Sequence, residues 1–106
     1  MVKNNQIVLI TGATSGLGLD IAKHYLKLGY KTIVLGKNKK LLKKYYSKNK
    51  LAHPVCVDLK KLSLLTNHIL KIKKKFKKID ILINNAGIAT NSLLESTKDN
   101  KIIDVI

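Results

Sequence analysis

Ile7-Val8-Leu9-Ile10-Thr11-Gly12-Ala13-Thr14-Ser15-Gly16-Leu17-Gly18 is the stretch on which the reading of this chain turns. Four apolar residues in a row form a buried strand, which ends in a glycine-rich turn and runs into helix-like sequence. The first N–H groups of a helix have no partner inside it, and the helix dipole adds partial positive charge at the same end. A strand–turn–helix of this kind is therefore a ready anion site. Gly12 permits the tight turn, Gly16 lets the backbone approach a phosphate, and Gly18 lets helix and strand pack closely. The spacing is Gly-x3-Gly-x-Gly rather than Gly-x-Gly-x2-Gly. An ordinary glycine turn with no ligand is the competing reading of this segment alone.

Downstream, apolar runs alternate with helical patterns, which argues for a parallel sheet with crossover helices. The expected strands are residues 6–11, 31–35, 54–58 and 79–84, with Pro54 opening the third, where proline is tolerated. The expected helices are Ser15 to Leu28 with Gly29 as C-cap, Asn38 to Tyr46, and Leu62 to Lys75, where Leu62, Leu65, Ile69 and Ile72 form one stripe. Ser96-Thr97-Lys98-Asp99 looks like a capping box, followed by an apolar helical face of Ile102, Ile103, Val105 and Ile106. Right-handed crossovers and doubly wound connections give strand order 3-2-1-4, with ligand expected where the order reverses between strands one and four. In that arrangement strand four is an uncovered apolar edge, and the chain looks like half a domain.

The second landmark is Ile79-Asp80-Ile81-Leu82-Ile83 followed by Asn84-Asn85-Ala86-Gly87. With Thr-Gly-x3-Gly-x-Gly near the start and Asn-Asn-Ala-Gly about seventy residues later, the chain resembles the short-chain dehydrogenase/reductase family over essentially its whole length. The resemblance implies an incomplete α/β Rossmann-like domain over residues 1–106, four strands in order 3-2-1-4, with the chain ending inside the helix after strand four. It also implies a dinucleotide cofactor whose phosphates lie against Gly12, Thr14, Ser15, Gly16, Leu17 and Gly18. Helix capping is the alternative use of the Thr14 and Ser15 hydroxyls, and it is compatible with binding.

Cofactor choice in such folds is set at the end of strand two, where a carboxylate accepts from the ribose 2′-hydroxyl and a cation favours a 2′-phosphate. Gly36 stands where the pattern that prefers NAD has Asp, and Lys37 where the pattern that prefers NADP commonly has Arg. NADP(H) is thus favoured over NAD(H), the alternative being that Lys37 is one more surface lysine. Asp58 and Leu59 match the pair that contacts adenine, although Asp58 also suits an N-cap of the next helix. Asn85, Ala86 and Gly87 match the element beside the adenosine ribose, whereas Asn84 is expected to tie neighbouring strands together.

The family's activity is hydride transfer between a nicotinamide ring and a carbonyl or alcohol, using Ser, Tyr and a Lys four residues beyond the Tyr, with a supporting Asn. None of these is expected within residues 1–106, so the chain alone is read as truncated and without catalytic residues. Tyr46 and Lys50 satisfy Tyr-x3-Lys as text, but they are expected at a solvated helix end far from the crevice. Two rival readings are a non-catalytic dinucleotide-binding module and a lysine-rich protein that binds nucleic acid or acidic surfaces. Homo-oligomers are possible in a full-length parent.

Composition narrows those rivals. The formal charge is +15, and all 21 basic residues are Lys. Specific nucleic-acid readers favour Arg, so none is expected here, and an A/T-rich gene accounts for much of the lysine, asparagine and isoleucine. The cluster Lys71, Lys73, Lys74, Lys75, Lys77 and Lys78 holds a single aromatic residue, Phe76, so it offers no stacking platform. No apolar run reaches the roughly 18 residues of a membrane span. His24, His53 and His68 lack metal-ligand spacing, and no metal site is expected. Lone Cys56, in a short apolar stretch, reads as a buried thiol in a reducing, cytoplasmic compartment.

Overall fold

A computed structural model describes residues 6–85 and 101–104, the last four by their backbone. Its elements in chain order are β1 (Ile7–Thr11), α1 (Gly16–Lys27), β2 (Lys31–Gly36), α2 (Lys39–Tyr46), β3 (Ala52–Cys56), α3 (Leu62–Phe76), β4 (Ile81–Asn84) and β5 (Lys101–Asp104). The sheet has order β3-β2-β1-β4-β5, with every pairing parallel. The expected order 3-2-1-4 is therefore present, extended by one strand.

Side chains alternate across a strand, so β1 serves two cores. Ile7 and Leu9 pack with Leu65, Ile69 and Ile72 of α3, while Val8 and Ile10 pack with Ala22 and Leu26 of α1 and Leu42 and Tyr46 of α2. Helices thus cover both faces of the sheet, which is why its central strands carry no polar face. Helix α1 stops at Leu28, followed by Gly29 with φ 93°, the left-handed position that ends many helices. Asn38 caps α2 by accepting from Leu41 N at 3.1 Å. Lys73, Lys74 and Lys75 fall in the last turn of α3, where cations oppose the helix dipole, so part of the basic cluster has a local structural role.

Three expectations are corrected here. Residues 101–104 form a strand paired to β4 in place of the expected helix, with Ile83 opposite Ile103. Consecutive β-branched residues lose side-chain freedom in a helix and suit a pleated surface, and pairing covers the apolar edge that β4 would otherwise expose. The capping-box residues 96–99 lie outside the described residues. The third strand covers Ala52–Cys56, two residues earlier than expected, with Pro54 in its middle. Leu51 O and Val57 N bond to Thr32 N and Gly36 O of β2, so the period of two turns Pro54 N toward the open edge, where a missing donor costs nothing. Finally, Cys56 is exposed rather than buried: it ends β3, which among the described residues is an edge strand, and its thiol lies 3.5 Å from Lys37 O.

Candidate functional site

The carboxyl ends of β1, β2 and β3 open on a cleft of about 180 Å³ lined by Gly12, Thr14, Gly36, Lys37, Val57, Asp58, Leu59 and Lys60. Five residues singled out from sequence (Gly12, Thr14, Lys37, Asp58 and Leu59) meet in it, although they come from three separate turns.

The glycine turn is built as its sequence requires. Gly12 has φ 64° and Gly16 φ 55°, conformations that side-chain-bearing residues rarely adopt. Gly18 is needed for a different reason. A Cβ there would overlap the Gly12 carbonyl oxygen and Asn85 Nδ2, so the start of α1 lies directly on the loop. Ser15 is the N-cap of α1, yet its side chain makes no capping bond, and the first turn holds no acidic residue. The first turn of α1 thus supplies no counter-charge to its own positive end. Leu17 is exposed beside it.

The loop is tied down from behind. Ala13 N donates to Leu35 O at 3.2 Å, and the Tyr46 hydroxyl donates to Ala13 O at 2.5 Å. Asn85 Nδ2 donates to Gly12 O at 3.1 Å. Thr11 supplies the last tie: its hydroxyl donates to Asn84 Oδ1 at 3.1 Å and accepts from Asn85 N at 2.9 Å. Asn84 is buried and joins β4 to β1, as expected from sequence. Ala86 and Gly87 lie outside the described residues.

At the other end of the cleft, Asp58 does not cap α3, whose N-cap is Lys61. Its Oδ1 accepts from Lys60 N at 3.0 Å and its carbonyl from Lys61 N at 3.0 Å, which closes a turn at the cleft rim. Gly36 is crowded, since a Cβ would come within 2.9 Å of Thr14 Cγ2.

Sequence reasoning missed the roles of Thr11 and Lys60 and, above all, the burial of Tyr46. Tyr46 is not at a solvated helix end but is 1% exposed in the core on the α1/α2 side. It lies one helical turn after buried Leu42, and that i, i+4 pair was the available signal for a buried face. Burial, with a smaller contribution from Tyr45, pushes its phenol up to about 12. Tyr46 is thus buried with its hydroxyl donating to a backbone carbonyl, facing the core of the sheet. Among the described residues there is no cluster of His, Cys, Asp and Glu able to hold a metal, and no helix long and apolar enough to cross a membrane.

The family model for short chain dehydrogenases matches residues 6–106. The chain belongs to the short-chain dehydrogenase family. It has that family's NAD(P)-binding Rossmann-type fold. Among curated relatives, 3-oxoacyl-(acyl-carrier-protein) reductase FabG of Buchnera aphidicola is 38% identical over 106 residues, covering 97% of this chain and 43% of the relative. Estradiol 17-beta-dehydrogenase 11 of Rattus norvegicus is 34% identical, covering 92% of this chain and 34% of the relative. The chain spans less than half the length of these curated relatives. A metagenomic short-chain oxidoreductase solved in complex with NADP superposes with a TM-score of 0.85 at 18% identity, covering 96% of this chain and 62% of that one, a likeness that speaks for the fold. The 3-ketoacyl-(acyl-carrier-protein) reductase of Brucella melitensis, complexed with NADH, gives a TM-score of 0.71 at 34% identity, covering 78% of this chain and 34% of that one.

Proposed function

We propose that this chain holds the dinucleotide of a short-chain dehydrogenase/reductase, and that it takes NADP(H) in preference to NAD(H). The observation that carries the reading is the cleft at the ends of β1, β2 and β3, which joins Gly12 and Thr14 to Lys37, Asp58 and Leu59. The donor set fits the group. A helix N-terminus with no acidic residue in its first turn and two glycines with positive φ suit a pyrophosphate, and a carboxylate beside a backbone turn suits an adenine edge. When bound, the cofactor supplies the hydride that the parent reaction moves to or from a carbonyl or alcohol carbon.

In this reading Gly12, Thr14, Ser15, Gly16, Leu17 and Gly18 receive the phosphates, and Asp58 and Leu59 receive the adenine. Asn85, with Ala86 and Gly87, borders the ribose, and Asn85 also braces Gly12. Lys37 meets a 2′-phosphate. Position 36 is glycine, so no acidic side chain stands beside Lys37 at the end of β2, which favours NADP(H). These residues bind and orient the cofactor; none of them passes a proton to substrate.

Titration of the chain with NADPH and NADH, followed by reduced-nicotinamide fluorescence, tests the reading. NADPH is expected to bind more tightly. Lys37→Asp exchanges an exposed attraction for a repulsion, each worth up to about 1 kcal/mol, so the NADPH:NADH affinity ratio should fall roughly tenfold. An unchanged ratio would overturn the NADP assignment, and absence of binding to either nucleotide would overturn the function.

A further inference from the structure

Ala13 is the one residue of the glycine turn held at both ends of its backbone by other elements. Its N–H reaches Leu35 O of β2, and its carbonyl receives the Tyr46 hydroxyl from α2. The carbonyl direction matters for the neighbouring peptide group. No cis peptide occurs among the described residues, and in a trans peptide the C=O of one residue and the N–H of the next point in opposite directions. A carbonyl drawn toward buried Tyr46 therefore turns the Thr14 N–H the opposite way, and Thr14 lines the cleft.

We propose that Tyr46 is a positioning residue for the dinucleotide's pyrophosphate, its hydroxyl holding the Ala13–Thr14 peptide group so that an N–H rather than a carbonyl faces the anion. The inference rests on the dinucleotide reading above and adds to it a residue that never touches the ligand. Released from Tyr46, that peptide can rotate about its flanking torsions, Ala13 ψ and Thr14 φ, and the reversed orientation presents a partial negative charge to a phosphate. The hydroxyl remains a donor throughout neutral pH, because burial keeps it protonated. The α2 segment thereby serves two phosphate groups of the cofactor, the 2′-phosphate and the pyrophosphate: Lys37 lies just ahead of the α2 N-cap, and the latch on the phosphate loop is the last residue of α2.

The test compares Tyr46→Phe with the unaltered chain against two ligands, NADPH and adenosine 2′-phosphate, which lacks the pyrophosphate. The ring stays, so packing of the core is preserved. Loss of one oriented backbone donor should weaken NADPH about tenfold while leaving adenosine 2′-phosphate within about twofold. Tyr45→Phe, which removes a hydroxyl from the same helix, should change neither. Equal weakening of both ligands would mean a general structural effect and would overturn the proposal, as would no change in NADPH affinity. A second readout does not depend on the variant folding: in the unaltered chain, the Thr14 amide resonance should shift with NADPH and stay still with adenosine 2′-phosphate. A Thr14 amide indifferent to NADPH overturns the proposal even if binding occurs. Failure of the unaltered chain to bind NADPH, by contrast, overturns the dinucleotide reading itself.

Discussion

Gly18→Ala is the substitution for which local and tertiary reasoning predict opposite signs. Helix propensity alone favours alanine by up to about 1 kcal/mol. The fold opposes it, because the added Cβ would overlap Gly12 O and Asn85 Nδ2 and sit within 2.9 Å of Gly12 C. Two of those three atoms are backbone, so no rotamer change relieves the contact. Overpacking of this sort costs about 1–3 kcal/mol, and moving Asn85 off Gly12 forfeits a hydrogen bond worth roughly 0.5–1.5 kcal/mol. The net expectation is a loss of about 1–3 kcal/mol, read as a lower urea midpoint at unchanged slope. Because the displaced atoms belong to the phosphate loop, NADPH affinity should fall at least about tenfold in the same protein. Gly16→Ala is the companion measurement: nothing lies within 4 Å of its Cβ, yet φ is +55°, so it should lose roughly 1–2 kcal/mol by strain alone. Were Gly18→Ala more stable than the parent with undiminished affinity, the close seating of α1 on the loop would be refuted.

Thr11→Val keeps the shape of the side chain but strands Asn84 Oδ1 and Asn85 N, both held by the threonine hydroxyl. It should cost about 2 kcal/mol or more in chemical denaturation, and a change below about 0.5 kcal/mol would show that those groups find other partners. Alkaline titration probes Tyr46. Its phenol ionises near 10 when unfolded and about 12 when folded, so between those values the unfolded chain binds fewer protons and stability falls as pH rises. The contribution, present in full below pH 10 and gone above 12, is on the order of 2–3 kcal/mol. It should appear as a difference between the unaltered chain and Tyr46→Phe, since lysines common to both titrate in the same range. Parallel stability profiles for the two would contradict the burial of this hydroxyl.

Most of the scaffold could be read from residue order, because it follows from periodicity and turn chemistry within a few residues. The apolar runs of β1, β2 and β4, the stripe of α3 and Gly29 behind α1 all depend on near neighbours. Hydrophobic alternation also carried the order β3-β2-β1-β4, since right-handed crossovers leave few other arrangements. The turn at Gly12–Gly18 was legible for the same local reason.

Other features depend on groups far apart in the chain. Thr11 became a hub because the β1–β4 register sets it opposite Asn84, and register is decided by whole strands sliding until both faces are buried. Tyr46 looked like the frayed end of a lysine-rich helix until α2 folded over the sheet and its hydroxyl needed a buried acceptor, found in Ala13. Residues 101–104 carry a pattern suited to either helix or strand, and the open edge of β4 made them a strand. Short-range preference sets which elements form, whereas hydrogen-bond partners for buried polar atoms exist only once distant elements have met.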